Sequence, residues 1–346
     1  MNLKAPFPWF GGKSRVADVV WQRFGNVQNY VEPFFGSGAV LLGRPQPFDG
    51  VETVNDKDGF VANFWRALQA APDEVARHAD WPVNENDLHA RHVWLVERRD
   101  KLQARLEGDP EFYDARIAGY WVWGMACWIG SEFCSGKGPW ASVDVDGQRE
   151  LVNLGTQGQC VKRQLPHLSG GRGVNRKLPH LSGGQGVNRK LPHPGDSKQE
   201  SALQIYMSQL AERLSGVRVA CGDWSRIVGQ SVTTCLGLTA VFLDPPYSDE
   251  ASRHKNIYTV EDLSVANDVR RWCIENGDNP LLRIALCGYE GEHIMPDTWL
   301  CVAWKAMGGY GSRNPDNLNA NRERIWFSPH CLKPDDAQPM LWEDEA

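Results

Sequence analysis

The chain has 346 residues and a formal net charge of −6, which allows one large domain or two smaller ones and excludes a globally basic nucleic-acid binder. Any contact with a polyanion must come from local patches. Nine cysteines, an odd number without a C-x-x-C pair, read as reduced thiols, and with no apolar leader or membrane-length apolar run the chain reads as soluble and cytoplasmic.

In chain order, Trp9 and Lys13 flank a Gly11–Gly12 turn. Residues 30–32 and 51–54 read as short strands, each followed by a helix: the first starts after the Gly36–Gly38 turn, the second runs from Phe60 to Leu68 and is ended by Pro72. Two successive β-α units imply a parallel sheet with crossover helices. Residues 73–130 read as mostly helical, with a charged segment from Glu85 to Glu107 and an aromatic one containing Trp121, Trp123 and Trp128, whose rings read as helix core. After Gly130 the chain reads as Gly-rich and irregular, and from Gln164 a unit repeats at a 13-residue step, with a truncated third copy at Lys190. The unit holds too little apolar surface to fold alone, so it reads as an insertion expanded by duplication. From Lys162 to Lys198 eight cations face one carboxylate, Asp196, the strongly basic stretch of an acidic protein. His167, His180 and His193 recur at the repeat step, but duplication explains their spacing and nothing completes a metal site.

A helix near 199–214 resumes the α/β pattern, followed by strands at 217–221, 239–243, 282–287, 299–304 and 324–327 and a helix near 260–276. The fold class is therefore α/β, a sheet split by an insertion: residues 1–72 and 200–332 form one domain, 73–199 an inserted one, and 333–346 a tail.

The segment 239–247 holds the most chemistry. A buried strand ends at Asp244, where α/β sheets place ligands, and Pro245, Pro246 and Tyr247 follow. The prolines donate no N–H but keep free carbonyls, so the segment offers a carboxylate, rigid acceptors and a flat ring. Such a set suits an exocyclic amino group on a flat base; a plain strand-to-turn junction would look the same. Glu32, Pro33 and Phe34 lead into Gly36 and Gly38, a turn that lets backbone approach a ligand and points a helix N-terminus at it. Asp56 at the next strand end could accept ribose hydroxyls or cap the following helix. Asp223 and Trp224 again end a strand with an acid and an aromatic, and a helix cap is the alternative there.

The order of these motifs, Trp9 to Lys13, Tyr30 to Gly38, Val54 to Asp58 and then Asp244 to Tyr247, resembles the Dam-type family of DNA adenine-N6 methyltransferases over residues 5–70 and 200–330. The resemblance implies a Rossmann-like methyltransferase sheet with an inserted target-recognition domain. It implies S-adenosylmethionine as cofactor, held by Trp9, Lys13, Pro33, Phe34, Gly36, Gly38, Asp56, Asp223 and Asp244. Lys13 would pair with the methionyl carboxylate or act near the target base. Asp244, Pro245, Pro246 and Tyr247 would act on an adenine flipped out of double-stranded DNA. The expected protein is a monomer without metal or membrane attachment, in a bacterial or phage-infected cytoplasm. N4-cytosine methylation is the near alternative, although Ser rather than Asp is more usual there before the two prolines; an inactive DNA-binding module is the far one. A nicotinamide-dependent dehydrogenase fails for lack of G-x-G-x-x-G at the first turn.

Overall fold

The computed structural model describes residues 3–9, 12–128, 133–134, 140–145, 148–153, 201–246, 265–304 and 322–334. Tyr247, Gly11, the 13-residue repeats and the tail beyond 334 lie outside the described residues.

Seven strands form one sheet: β1 (Asn29–Glu32), β2 (Val51–Asp56), β5 (Val217–Cys221), β6 (Thr239–Leu243), β7 (Leu282–Tyr289), β8 (Leu300–Ala303) and β9 (Glu323–Phe327). Their spatial order is β5-β2-β1-β6-β7-β9-β8. Pairings from β5 to β7 are parallel, and β9 runs antiparallel to both its neighbours. This mixed, mostly parallel sheet is consistent with the methyltransferase fold that the resemblance implies. From β1 the chain moves outward to β2 on one side, while β6 lies on the other. The β1–β6 boundary is thus a switch point, where such sheets open a crevice at their strand ends.

Two-faced burial explains the unbroken apolar runs. In β6 every residue is buried: Ala240 and Phe242 enter one core, Val241 and Leu243 the other. In β7, Ala285 and Cys287 join the first core, and Leu282, Ile284 and Leu286 the second. Period-two alternation with both faces covered is how a central parallel strand reads. The first core is closed by α1 (Ala17–Phe24), α2 (Ala39–Leu42), α3 (Gly59–Ala70) and α8 (Ala202–Leu214), the second by α9 (Val265–Asn276) and a 3₁₀ turn at Trp224–Ile227.

Helix α1 is absent from the sequence reading. It follows the turn containing Gly12 and buries Val20, Trp21 and Phe24, with Trp21 Nε1 donating to the Val40 carbonyl at 2.7 Å. Pro72 does not merely stop α3; it opens α4 (Pro72–Ala79) at a first-turn position that needs no N–H. Helices α5 (Glu85–Val96), α6 (Arg99–Gly108) and α7 (Ala115–Cys127) complete the helical segment. Trp121 and Trp123 are core, as expected. After residue 130, where irregular chain is expected, β3 (Trp140–Val145) pairs antiparallel with β4 (Gln148–Asn153). Among the described residues no helix is long and apolar enough to cross a membrane.

Candidate active site

Parallel pairing brings the carboxyl ends of β1, β2, β5 and β6 to one edge of the sheet. Asn55, buried one residue before the end of β2, ties three of them: its Nδ2 donates to the Pro33 carbonyl at 3.1 Å and to the Gly222 carbonyl at 3.0 Å. Its Oδ1 is buried and accepts no hydrogen bond among the described residues. Sequence reasoning passed over Asn55 because a short amide beside an acid reads as part of a turn.

After β1 the backbone enters the left-handed region twice, at Gly36 (φ +48°) and Gly38 (φ +68°). A Cβ on Gly36 would lie 2.4 Å from Trp9 Nε1, so the missing side chain lets the Trp9 indole lie against the turn. Trp65 holds the turn from the other side, its Nε1 donating to the Gly36 carbonyl at 2.9 Å. Phe34 stacks with Trp224 at 6.3 Å between centroids.

Asp56 stands half-buried at the tip of β2. Its Oδ2 accepts from Gly36 N at 2.8 Å and its Oδ1 from Asp58 N at 2.9 Å. Burial, and then the neighbouring Asp58 charge, push its pKa from 3.8 to about 7. The helix-capping alternative does not apply to Asp56. Asp58 caps α3, accepting from Phe60 N at 2.8 Å, because β2 runs two residues beyond the expected 51–54. Asp223 does cap: its Oδ1 accepts from Ser225 N at 3.0 Å and from Ser225 Oγ at 2.5 Å, and the residue is exposed.

Lys13 lies in the turn before α1, its carbonyl accepting from Ala17 N at 3.1 Å, and its side chain is buried. Its Nζ sits 2.8 Å from Asp244 Oδ2 and 4.0 Å from Glu323, and lies 5.5 Å from the centre of the Trp304 ring. The Lys13 ammonium is thus paired with the carboxylate at the end of β6. Burial raises the Asp244 carboxyl above the usual carboxylate range, and the Lys13 ammonium opposes that shift. Neither Asp244 Oδ1 nor the Pro245 carbonyl accepts a hydrogen bond among the described residues. Pro245 is buried and Pro246 half-buried. Behind them Glu32 is fully enclosed; burial holds its carboxyl well above the ordinary range, and the Tyr30 hydroxyl donates to it at 2.8 Å.

Residues 9–116 match the family described as D12 class N6 adenine-specific DNA methyltransferases. No curated protein matches the chain. The matched span carries Trp9, Lys13, Pro33, Phe34, Gly36, Gly38 and Asp56, while Asp223 and Asp244 lie beyond it. Methylation of adenine N6 in DNA, with S-adenosylmethionine as methyl donor, is the activity this assigns; N4-cytosine methylation and an idle DNA-binding module are not favoured. The strand ends fit that donor: a glycine turn allows close backbone approach, and Asp56 keeps lone pairs beyond the two N–H groups it already accepts.

Proposed function

We propose that methyl transfer takes place beside the end of β6, with Asp244 and the Pro245 carbonyl gripping the amino group of an extruded adenine. The observation that supports this most directly is the pair of adjacent acceptors, Asp244 Oδ1 and the Pro245 oxygen, that take no hydrogen bond among the described residues, at a strand end next to the switch point. An exocyclic amine offers two N–H groups, and its lone pair is delocalised into the ring. Two fixed acceptors draw the nitrogen toward a pyramidal form and hold its lone pair in one direction. Little reorganisation is then needed as positive charge develops on nitrogen. S-adenosylmethionine supplies an already activated sulfonium methyl, so the protein's task is positioning.

Asp56 holds the ribose hydroxyls in this reading, and the Gly36–Gly38 turn with Trp9, Pro33 and Phe34 lines the donor's pocket. Asp223 stands beside the donor's adenine and keeps its capping bonds. Lys13 is a positioning residue: it occupies Oδ2, keeps Asp244 ionised and leaves Oδ1 for the base. Pro246 fixes the backbone, and Tyr247 stacks on the flipped base, an interaction worth about 1–3 kcal/mol by analogy with single-strand binding. The chain is of Dam type, with residues 73–199 as the target-recognition insert and the protein acting as a monomer in the cytoplasm.

The test is labelled-methyl incorporation into duplex DNA by Asp244→Ala, with heat of donor binding recorded on the same preparation. Incorporation should fall by at least about a hundredfold, the scale for removing a group that acts on the transition state. Unreduced incorporation with donor binding intact would reject the assignment of Asp244.

A further inference from the structure

Away from the strand ends, α4, α5 and α7 enclose a cleft of about 470 Å³ lined by Arg77, Arg91, Arg116, Trp81, Trp94 and Tyr120. Arg91 forms its floor and is only 8% exposed. Its guanidinium sits between rings, 4.0 Å from the centre of Tyr120, 4.3 Å from Trp123 and 5.1 Å from Trp81. One donor reaches the His78 carbonyl at 3.2 Å, and among the described residues no carboxylate lies within ion-pair distance of it. Arg116 is exposed at the rim, 4.8 Å from the Trp94 ring and 5.1 Å from Tyr120. The acid that lines the cleft, Asp87, already accepts from Trp81 Nε1 and Asn84 Nδ2, each at 2.6 Å.

A buried cation without a carboxylate is costly, and aromatic faces offset only part of that cost. The cleft is therefore a preformed cationic cavity with aromatic walls in a protein whose net charge is −6. It is also one helix away from the strand-end site. Tyr120 faces the cleft, and its neighbour Trp121 packs on Phe7 at 4.8 Å, which packs on Trp9 at 5.7 Å.

We propose that this cleft binds a phosphodiester of the DNA substrate, with Arg91 as the fixed anion anchor, Arg116 as a rim cation and the indoles as walls. The inference rests on the reading that residues 73–199 engage DNA, and it names the surface within them. Planar guanidinium donors match phosphate oxygens in geometry, and stacking on rings holds those donors in place before the anion arrives. An acidic protein needs such local sites, because its long-range field repels the duplex.

The experiment uses the full chain with a non-reactive analogue of the donor and a cognate duplex, measuring Kd across a salt series. Arg116→Gln and Arg91→Lys are compared with wild type and with Lys101→Gln, an exposed cation on α6. Arg116→Gln should lower the slope of log K against log salt by about 1, the value for one phosphate no longer neutralised. Arg91→Lys, which keeps charge but loses the fork, should weaken binding with little change of slope. Lys101→Gln should change neither, and donor binding and melting temperature should stay at wild-type values for Arg116→Gln. Because Arg116 is exposed, that variant carries the test if Arg91 variants fail to fold. An unchanged slope and affinity in Arg116→Gln and Arg91→Lys overturns the proposal. Photo-crosslinking of the duplex separates the two levels. Crosslinks within 73–199 but away from α4, α5 and α7 overturn the cleft and leave the insert's role standing, while none within 73–199 removes both. Thermal stabilisation by inorganic phosphate through Arg91, with unchanged DNA binding in the variants, would assign the cleft to a free anion and overturn the proposal as well.

Discussion

Lys13 occupies one oxygen of Asp244 and not the other, and that division decides how the pair behaves with pH. Burial favours the neutral acid at Asp244, and the ammonium 2.8 Å away offsets part of that shift. An opposite charge at such range moves a carboxyl by about 1–3 pH units. Lys13→Met should therefore shift the acid limb of the pH–rate profile upward by about that amount, because Asp244 must be ionised to accept. A lower plateau with no shift of the limb would mean that Lys13 acts elsewhere. Asp56 gives a second pH signature. Its pKa near 7 means that the free protein holds a proton there between about pH 4 and 7 that the unfolded chain does not, so this group favours the folded state less as pH rises. Donor binding runs in the opposite sense: a carboxylate that accepts two hydroxyls must lose its proton. Affinity by calorimetry should be flat above about pH 8 and fall by up to tenfold per unit below 7. Asp56→Asn should bind more weakly with little pH dependence; a wild-type curve flat down to pH 6 would count against the ribose role.

Between elements, a buried polar junction joins β2 to α8. Glu52 of β2 is buried, with Arg213 of α8 on both its oxygens at 2.7 and 2.9 Å and Arg44 at 3.0 Å. The two guanidiniums also donate to the Leu41 and Val27 carbonyls. Removing the shared carboxylate leaves two cations facing each other in a dry space, so Glu52→Gln should cost about 3–5 kcal/mol in urea unfolding. Donor binding at low temperature should be kept, and a cost below about 1 kcal/mol would mean that water reaches the cluster. This junction also marks what sequence patterning can and cannot reveal. Central strands such as β6 were legible because both faces are apolar, and Asp244 was legible because it ends such a run. Helix α1 was hidden by the glycines before it, and the β3–β4 hairpin by surrounding glycines, although Asp-Gly between two short runs is a favoured hairpin sequence. The pairing of Lys13 with Asp244 joins residues far apart in the chain, and no periodicity encodes it. Of the arginines in the charged segment, Arg91 of α5 is buried because the rings of α7 pack on it, so the Arg91 cleft could not be read from that segment alone.

Across the whole molecule, the sheet is built from both ends of the chain: β1 and β2 precede the helical segment, and β5 to β9 follow the repeats. Parallel pairing of β2 with β5 closes that gap, and the entropic cost of closing a gap grows only with the logarithm of the chain length between its ends. Lengthening by duplicated units is then nearly neutral for the fold, which is how three copies could accumulate. It is not neutral for charge, because residues 164–193 add Arg172, Arg176, Lys177, Arg189 and Lys190 and no acid. Deleting 164–193 should leave the melting temperature and donor binding unchanged. If these cations meet phosphates, it should also reduce the salt slope of DNA binding by about 0.9 for each phosphate left unneutralised. The deletion and Arg116→Gln should then add in the slope, since distant independent cations release counterions separately. A slope unchanged by the deletion would make the repeats a tolerated surface expansion, and phosphate binding would fall to the helical segment and the strand-end loops.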